Sequence, residues 1–385
     1  MNQLKIHKSF NGNRLKQART IRNITLQELA DHLEKSHQAI SKYENGKAVP
    51  SSEDIMKISK ILNFEPSFFY LDNVNNTFYE KPFIFRSKSG IAKKYTDQTK
   101  ELILLMQHLV ENIEYKVSLP KFDLSLVHQS EEEFSPTSDN DIEELATRIR
   151  RKFNLGDGPI SNLTALCEKM GIIITYINLN HQGIDGCSVL LENRPYIILN
   201  KDRESAVRIR FNIAHELGHI LLHSRYINKV INKKIHSKRM EYEANRFASA
   251  LLMPEKGIVG DLTALGLDYL ITLKRHWKVS LQAIIYRAEQ LEIFTPEYAL
   301  YLRQQISRKK WRTREPLDED IPFEQPKLLL YAIKYLEKEK NFFLTQLSFV
   351  TGLKVEEIED FCTGIEGVQN KMDSRPNLMV IDGPR

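Results

Sequence analysis

Residues spaced for metal chemistry stand together at His215, Glu216 and His219, inside Phe211-Asn-Ile-Ala-His-Glu-Leu-Gly-His-Ile-Leu-Leu-His223. On a helix, the four-residue step places both imidazoles on one face, one turn apart, where they can share a cation. Glu216 follows the first imidazole. From there its carboxylate can take the proton of a water at the open corner of a tetrahedral zinc site. A short pattern with three fixed positions also arises by chance on solvated helices, so the flanks matter. Phe211, Ala214, Leu217, Ile220, Leu221 and Leu222 make this helix apolar nearly all round and therefore buried. Buried imidazoles beside a buried carboxylate need partners, and a metal supplies them.

A third protein ligand is expected from a neighbouring element. Downstream, Glu241-Tyr-Glu-Ala-Asn-Arg-Phe-Ala-Ser-Ala-Leu-Leu-Met-Pro254 reads as a second helix, with Ala244, Phe247, Ala248, Leu251 and Leu252 apolar and Pro254 ending it. Glu243, one turn before Phe247 on the packed side, is the expected donor. Glu241 competes for that role, but an acidic residue in the first turn of a helix commonly just complements its dipole.

The two motifs together resemble the ImmA/IrrE metallopeptidases, intracellular bacterial and phage proteins related in their active site to thermolysin-type zinc enzymes. The resemblance spans roughly 141–254. It implies His215, His219 and Glu243 as zinc ligands and Glu216 as catalytic acid/base. It also implies cleavage of DNA-binding repressors, so a DNA-binding segment in the same chain is informative.

Residues 11–70 supply one. A first helix is expected over 13–22, with Leu15, Ala18 and Ile21 inward and Arg14, Lys16, Arg19 and Arg22 outward. Thr25 and Glu28 form a capping box for a second helix, and Ser36 caps a third, His37-Gln-Ala-Ile-Ser-Lys-Tyr-Glu-Asn45, which Gly46 ends. Two short helices joined by a tight turn form the helix-turn-helix arrangement, whose second helix enters the major groove. His37, Gln38, Ser41 and Lys42 are the expected base readers, and Asn45 and Lys47 lie where the sugar-phosphate backbone passes. The segment resembles the XRE/Cro-type repressor domain, which implies binding to a double-stranded operator as a homodimer.

Composition sets the frame. The 385 residues exceed one ordinary core, and 42% hydrophobic with 27% charged residues describe a globular chain. No membrane span or signal-peptide core is visible, which predicts a cytoplasmic protein. Cys167, Cys187 and Cys362 are few and scattered, arguing against disulfides and a thiolate zinc site. The net charge of +5 is too mild to decide on nucleic acid.

The expected fold is mainly α with a small β-sheet (α+β). Residues 1–72 form the all-α helix-turn-helix domain, 73–140 a linker with a long helix near 96–115, and 141–255 a zincin-like peptidase domain. A helical extension over 256–310 and a C-terminal helical region over 311–385 with a frayed tail follow. Strands are expected at 171–177, 188–192 and 195–200, and such a sheet beside the metal helix can take an extended substrate as an added strand. Phe83-Ile-Phe-Arg-Ser-Lys-Ser89 resembles a segment that often follows the DNA-binding domain in such fusions, without a role readable from its residues.

The leading functional expectation is a DNA-binding regulator carrying a Zn2+ peptidase that hydrolyses a partner protein such as a repressor or toxin. Such fusions resemble regulators of phage, mobile-element and toxin-antitoxin loci. The alternative is a regulator or antitoxin whose peptidase-like domain is a non-catalytic sensor or partner-binding module.

Overall fold

A computed structural model describes residues 9–72, 84–87, 93–127, 134–177, 184–200, 205–224, 226, 234–263 and 266–363. The start of the expected linker, 73–92, lies outside the described residues apart from 84–87, and so does the tail beyond 363.

The N-terminal unit comprises α1 (Gly12–Ile21), α2 (Leu26–His32), α3 (His37–Glu44), α4 (Ser52–Leu62) and a 3-10 turn, Pro66–Tyr70. Local chemistry sets these boundaries. Thr25 and Glu28 form the capping box, Ser36 accepts from the Ala39 amide, and Ser51 with Asp54 repeats the box at α4. Leu15, Ala18, Leu29, Ile40, Ile58 and Phe68 are sealed from solvent. Arg14, expected outward, is instead buried, bonding to the Asp72 carbonyl and Gln17.

The long helix α5 (Lys93–Glu114) buries Leu102, Leu105, Met106, Leu109 and Ile113, the stripe its sequence announces. Gln98, Gln107, His108 and Asn112 are buried too, so the helix is enclosed on nearly every side as a core element of its own chain.

The middle of the chain holds α6 (Asp139–Lys152), α7 (Leu163–Lys169), the strands β2 (Ile173–Ile177), β3 (Ile184–Leu191) and β4 (Arg194–Asn200), then α8 (Ala206–His223) and α9 (Lys234–Leu252). A fourth strand, β1 (Ile84–Ser87), precedes α5, and the sheet order is β1-β3-β4-β2. Strands β3 and β4 form a hairpin, β2 runs parallel to β4, and β1 lies antiparallel on β3.

Side chains alternate across the sheet with period two. Ile172, Ile174, Tyr176, Ile197 and Leu199 face the core built by α6 to α9, while Ile173, Cys187, Val189, Tyr196 and Ile198 face a second core containing the N-terminal helices and α5. The sheet is thus sandwiched between the two halves.

Beyond α9 come α10 (Glu255–Asp261), α11 (Leu267–Trp277), α12 (Leu281–Gln290), α13 (Pro296–Arg308), α14 (Leu328–Lys340), α15 (Leu344–Thr351) and α16 (Val355–Thr363). The charged stretch around 311–322 is pinned. Buried Lys274 pairs with Glu315 at 2.7 Å and Asp318 at 2.5 Å, and Glu315 also accepts from the Leu281 amide.

The C-terminal helices connect the two halves. Phe64 and Leu353 form an antiparallel bridge, Arg22 grips Glu357 through two bonds of 2.9 and 2.7 Å, and Thr175 of β2 donates to the Phe361 carbonyl. The α+β expectation is met, with a predominance of helix.

Candidate metal centre and nucleic-acid interface

His215 and His219 project from the buried interior of α8, one turn apart, with their Nε2 atoms 3.0 Å from each other. The third side chain at this point comes from α9 and is Glu241. Its Oε2 lies 3.4 Å from His215 Nε2 and its Oε1 lies 3.4 Å from His219 Nε2. Donor atoms of these three residues all fall within 4.8 Å of one another. Burial alone would raise the Glu241 pKa, but the adjoining imidazoles outweigh it and hold the carboxyl well below its usual range.

The sequence expectation of Glu243 at this position needs correction. Glu243 is buried, but its Oε2 binds His223 Nε2 at 2.9 Å, and its Oε1 accepts from Arg239 at 2.8 Å and from the Thr137 amide at 3.0 Å. Both its oxygens are committed away from the imidazole pair. The cause is where the helix starts. With α9 opening at Lys234, Glu241 is not a first-turn residue but lies about two turns inside, on the face toward α8.

Asn245, one turn beyond Glu241 on that same face, holds His215 through Nδ1 at 2.9 Å. Gly218 lets the helices come this close. A Cβ there would stand 3.1 Å from Ala244 Cα and 3.1 Å from the Phe247 ring.

The surrounding hydrogen bonds set both tautomers. Burial pushes the His223 pKa down to about 4, so at neutral pH it carries one ring proton. That proton belongs on Nε2, donated to the Glu243 carboxylate, leaving His223 Nδ1 to accept from His219 Nδ1 at 2.9 Å. His219 therefore turns the lone pair of Nε2 toward Glu241. His215 does the same, because its Nδ1–H is spent on the Asn245 carbonyl. Two imidazole lone pairs and a carboxylate converge, a donor set that fits a divalent cation of borderline softness such as Zn2+. His223 thus serves as the link from Glu243 to His219.

Glu216 lies beside this cluster, fully buried beneath β3. Ser188 of β3 donates its hydroxyl to Glu216 Oε2 at 2.6 Å. A Cβ placed on Gly186 would stand 3.6 Å from Glu216 Oε1, an ordinary contact distance, so this stretch of β3 lies directly against the carboxylate. Buried Cys187 turns to the opposite core, its thiol pKa pushed up by burial. Ser188 and Asn245 escaped the sequence reading. Asn245 carried a signal in its four-residue offset from Glu241, whereas Ser188 meets Glu216 only through the packing of sheet on helix.

In the N-terminal unit, α3 is held from below by buried Ile40 and Tyr43, and Glu44 at its end is bound by Arg19 at 2.6 and 3.0 Å. His37, Gln38 and Lys42 are exposed on its outer side and Ser41 is half-buried between them. Asn45 and Lys47 are exposed after the helix, and the Asn45 amide turns back onto the Ser41 carbonyl at 2.7 Å. The expected reading residues therefore share one solvent-facing side.

Comparison with known families agrees with both halves. One family model, described as IrrE N-terminal-like domain, matches residues 167–289, and another, described as Helix-turn-helix, matches residues 15–69. The chain is a fusion of an XRE-type helix-turn-helix domain with an ImmA/IrrE-like domain. No curated protein matches it. The IrrE-like match contains α8 and α9, hence His215, Glu216, His219 and Glu241, and the helix-turn-helix match contains α3. No helix among the described residues is long and apolar enough to cross a membrane.

Proposed function

We propose that this fusion is an intracellular transcription regulator that binds an operator through α3 and hydrolyses a peptide bond in a partner protein, a repressor or toxin, at a Zn2+ site in its IrrE-like domain. The observation that carries this reading is the convergence of His215, His219 and Glu241 beside a buried Glu216. His215 Nε2, His219 Nε2 and Glu241 would hold the ion. When bound, Zn2+ supplies Lewis-acid polarisation of water and of a peptide carbonyl.

The chain's own residues do the rest. Glu216, steadied by the Ser188 hydroxyl, takes the proton of the attacking water on a carboxylate oxygen and hands it to the departing amine nitrogen. Burial under β3 keeps bulk water from competing for that proton. The donor side of the Ser188 contact leaves Glu216 an acceptor, as a base must be. Gln38 and Lys42 on the exposed side of α3 are suited to base edges and phosphates.

The test is Glu216→Gln, which removes the base but keeps size and hydrogen-bonding capacity. On this reading the variant binds Zn2+ and operator DNA as the parent does but leaves the partner protein uncut. Normal regulation in the cell by this variant would favour a non-catalytic sensor.

A further inference from the structure

β3 has two edges: β4 occupies one and β1, the strand that links the DNA-binding domain to α5, occupies the other. The register places Ile84 opposite Ser188, Phe85 opposite Cys187 and Arg86 opposite Gly186. Ser188 and Gly186 are the residues of β3 that meet Glu216. A polypeptide that presents a bond to Glu216 while aligned on the sheet must run along this stretch, because adding a strand satisfies its backbone and fixes its register. That position is taken by four residues of the chain itself, and their pairing becomes irregular between Arg86 and Ser87.

We infer that the β1-facing edge of β3 is the docking edge for an extended polypeptide substrate, and that Ile84–Ser87 occupies it in cis as a displaceable stand-in, keeping the peptidase latent. The inference rests on the peptidase reading above and adds its regulation. A strand of four residues contributes few ladder bonds, so a longer extended segment can outcompete it. An unfolded or extended region is therefore the class of substrate that fits, rather than a folded surface. The Ile84–Ser87 strand thereby gains a role: it ties access at Glu216 to the segment that leads out of the DNA-binding domain.

The register offers a lock. Phe85→Cys places a thiol directly across from native Cys187, in the antiparallel arrangement from which a cross-strand disulfide can close. With the full chain loaded with Zn2+ and β-casein as an unfolded probe, oxidised Phe85→Cys is expected to cleave at least about 10-fold more slowly than its reduced form, while the parent ignores reductant.

In a second variant, Ile84→Gly with Phe85→Ser and Arg86→Gly, casein cleavage should rise about 10-fold. The alternate amides of residues 186–189 that point toward β1 should exchange faster, and a synthetic peptide of sequence 83–89 should slow them again. Failure of the disulfide to form contradicts the register, and equal cleavage by the oxidised and reduced forms overturns the inference. So does a peptide that leaves the β3 amides unprotected. If the peptide protects those amides but no form cleaves casein, the docking edge stands and the peptidase reading falls.

Discussion

His223 Nε2 lies 2.9 Å from Glu243 Oε2, both side chains sealed from solvent, one link behind His219 of the candidate metal centre. Through this pair a carboxylate that faces away from the His215–His219–Glu241 cluster still governs which nitrogen of His219 carries the proton. Outer partners of this kind typically alter metal affinity 10- to 100-fold, roughly. Glu243→Ala should therefore weaken Zn2+ binding by about that factor without abolishing it, measured by competition with a chromogenic chelator. Glu243→Gln, whose amide oxygen can still accept from His223, should show the smaller loss. An unchanged affinity in both would contradict this relay.

Gly218 sets the distance between α8 and α9. Gly218→Ala forces a methyl to within 3.1 Å of Ala244 Cα, so the helices must part by a few tenths of an ångström. Overpacking of this kind costs about 1–3 kcal/mol. Glu241 would shift from its imidazoles at the same time. Thermal unfolding should show a lower midpoint, and chelator competition a weaker site.

Glu168, at the end of α7, accepts from the Lys327 and Leu328 amides at 2.8 Å each and so caps α14. Burial pushes its pKa up to about 7 against these bonds. Between roughly pH 4.5 and 7 the folded chain keeps a proton that the unfolded chain has released, so this group's contribution to stability falls as pH rises through that window. The full loss, about 3 kcal/mol on the linkage scale, is present above pH 7. Glu168→Gln retains an acceptor and carries no charge. Denaturant titrations should find it more stable than the parent at pH 8 and little different at pH 5. Parallel pH profiles for the two proteins would contradict this.

At the nucleic-acid face, Lys47 is exposed and beyond the reading helix. Lys47→Ala should lower the slope of log affinity against log salt by about 1 on any duplex. Gln38→Ala should cost about 1–3 kcal/mol on the preferred sequence and relax its selection from a random duplex pool. Both side chains project into solvent, so circular dichroism and thermal midpoint should not change.

The DNA-binding half was readable because its boundaries are written locally. Thr25 with Glu28, Ser36 and Gly46 each act within a few residues, and the observed α2 and α3 begin and end where these signals place them. His215, Glu216 and His219 were equally legible, since one helix fixes their spacing. Choosing between Glu241 and Glu243 was not, because it depends on where α9 starts. By its local pattern Glu241 looks like a helix beginning, whereas the chain opens the helix at Lys234.

Contacts across long sequence separations were also invisible. Arg14 was expected in solvent by its helical position but reaches the Asp72 carbonyl, and Ser188 acquires its role only once β3 lies over α8. The enclosure of α5, and the grip of Arg22 on Glu357, likewise come from assembly of the two halves rather than from any local pattern.

On the proposed function, two imidazoles of α8 and the Glu241 carboxylate of α9 bind one divalent ion. Zinc content per chain, measured by mass spectrometry after dialysis against a moderate chelator, tests it directly. About one zinc is expected in the parent and in Glu216→Gln, and essentially none in Glu241→Ala, with Glu243→Ala recovering its zinc when the free metal is raised. Full zinc in Glu241→Ala together with an irrecoverable loss in Glu243→Ala would contradict it.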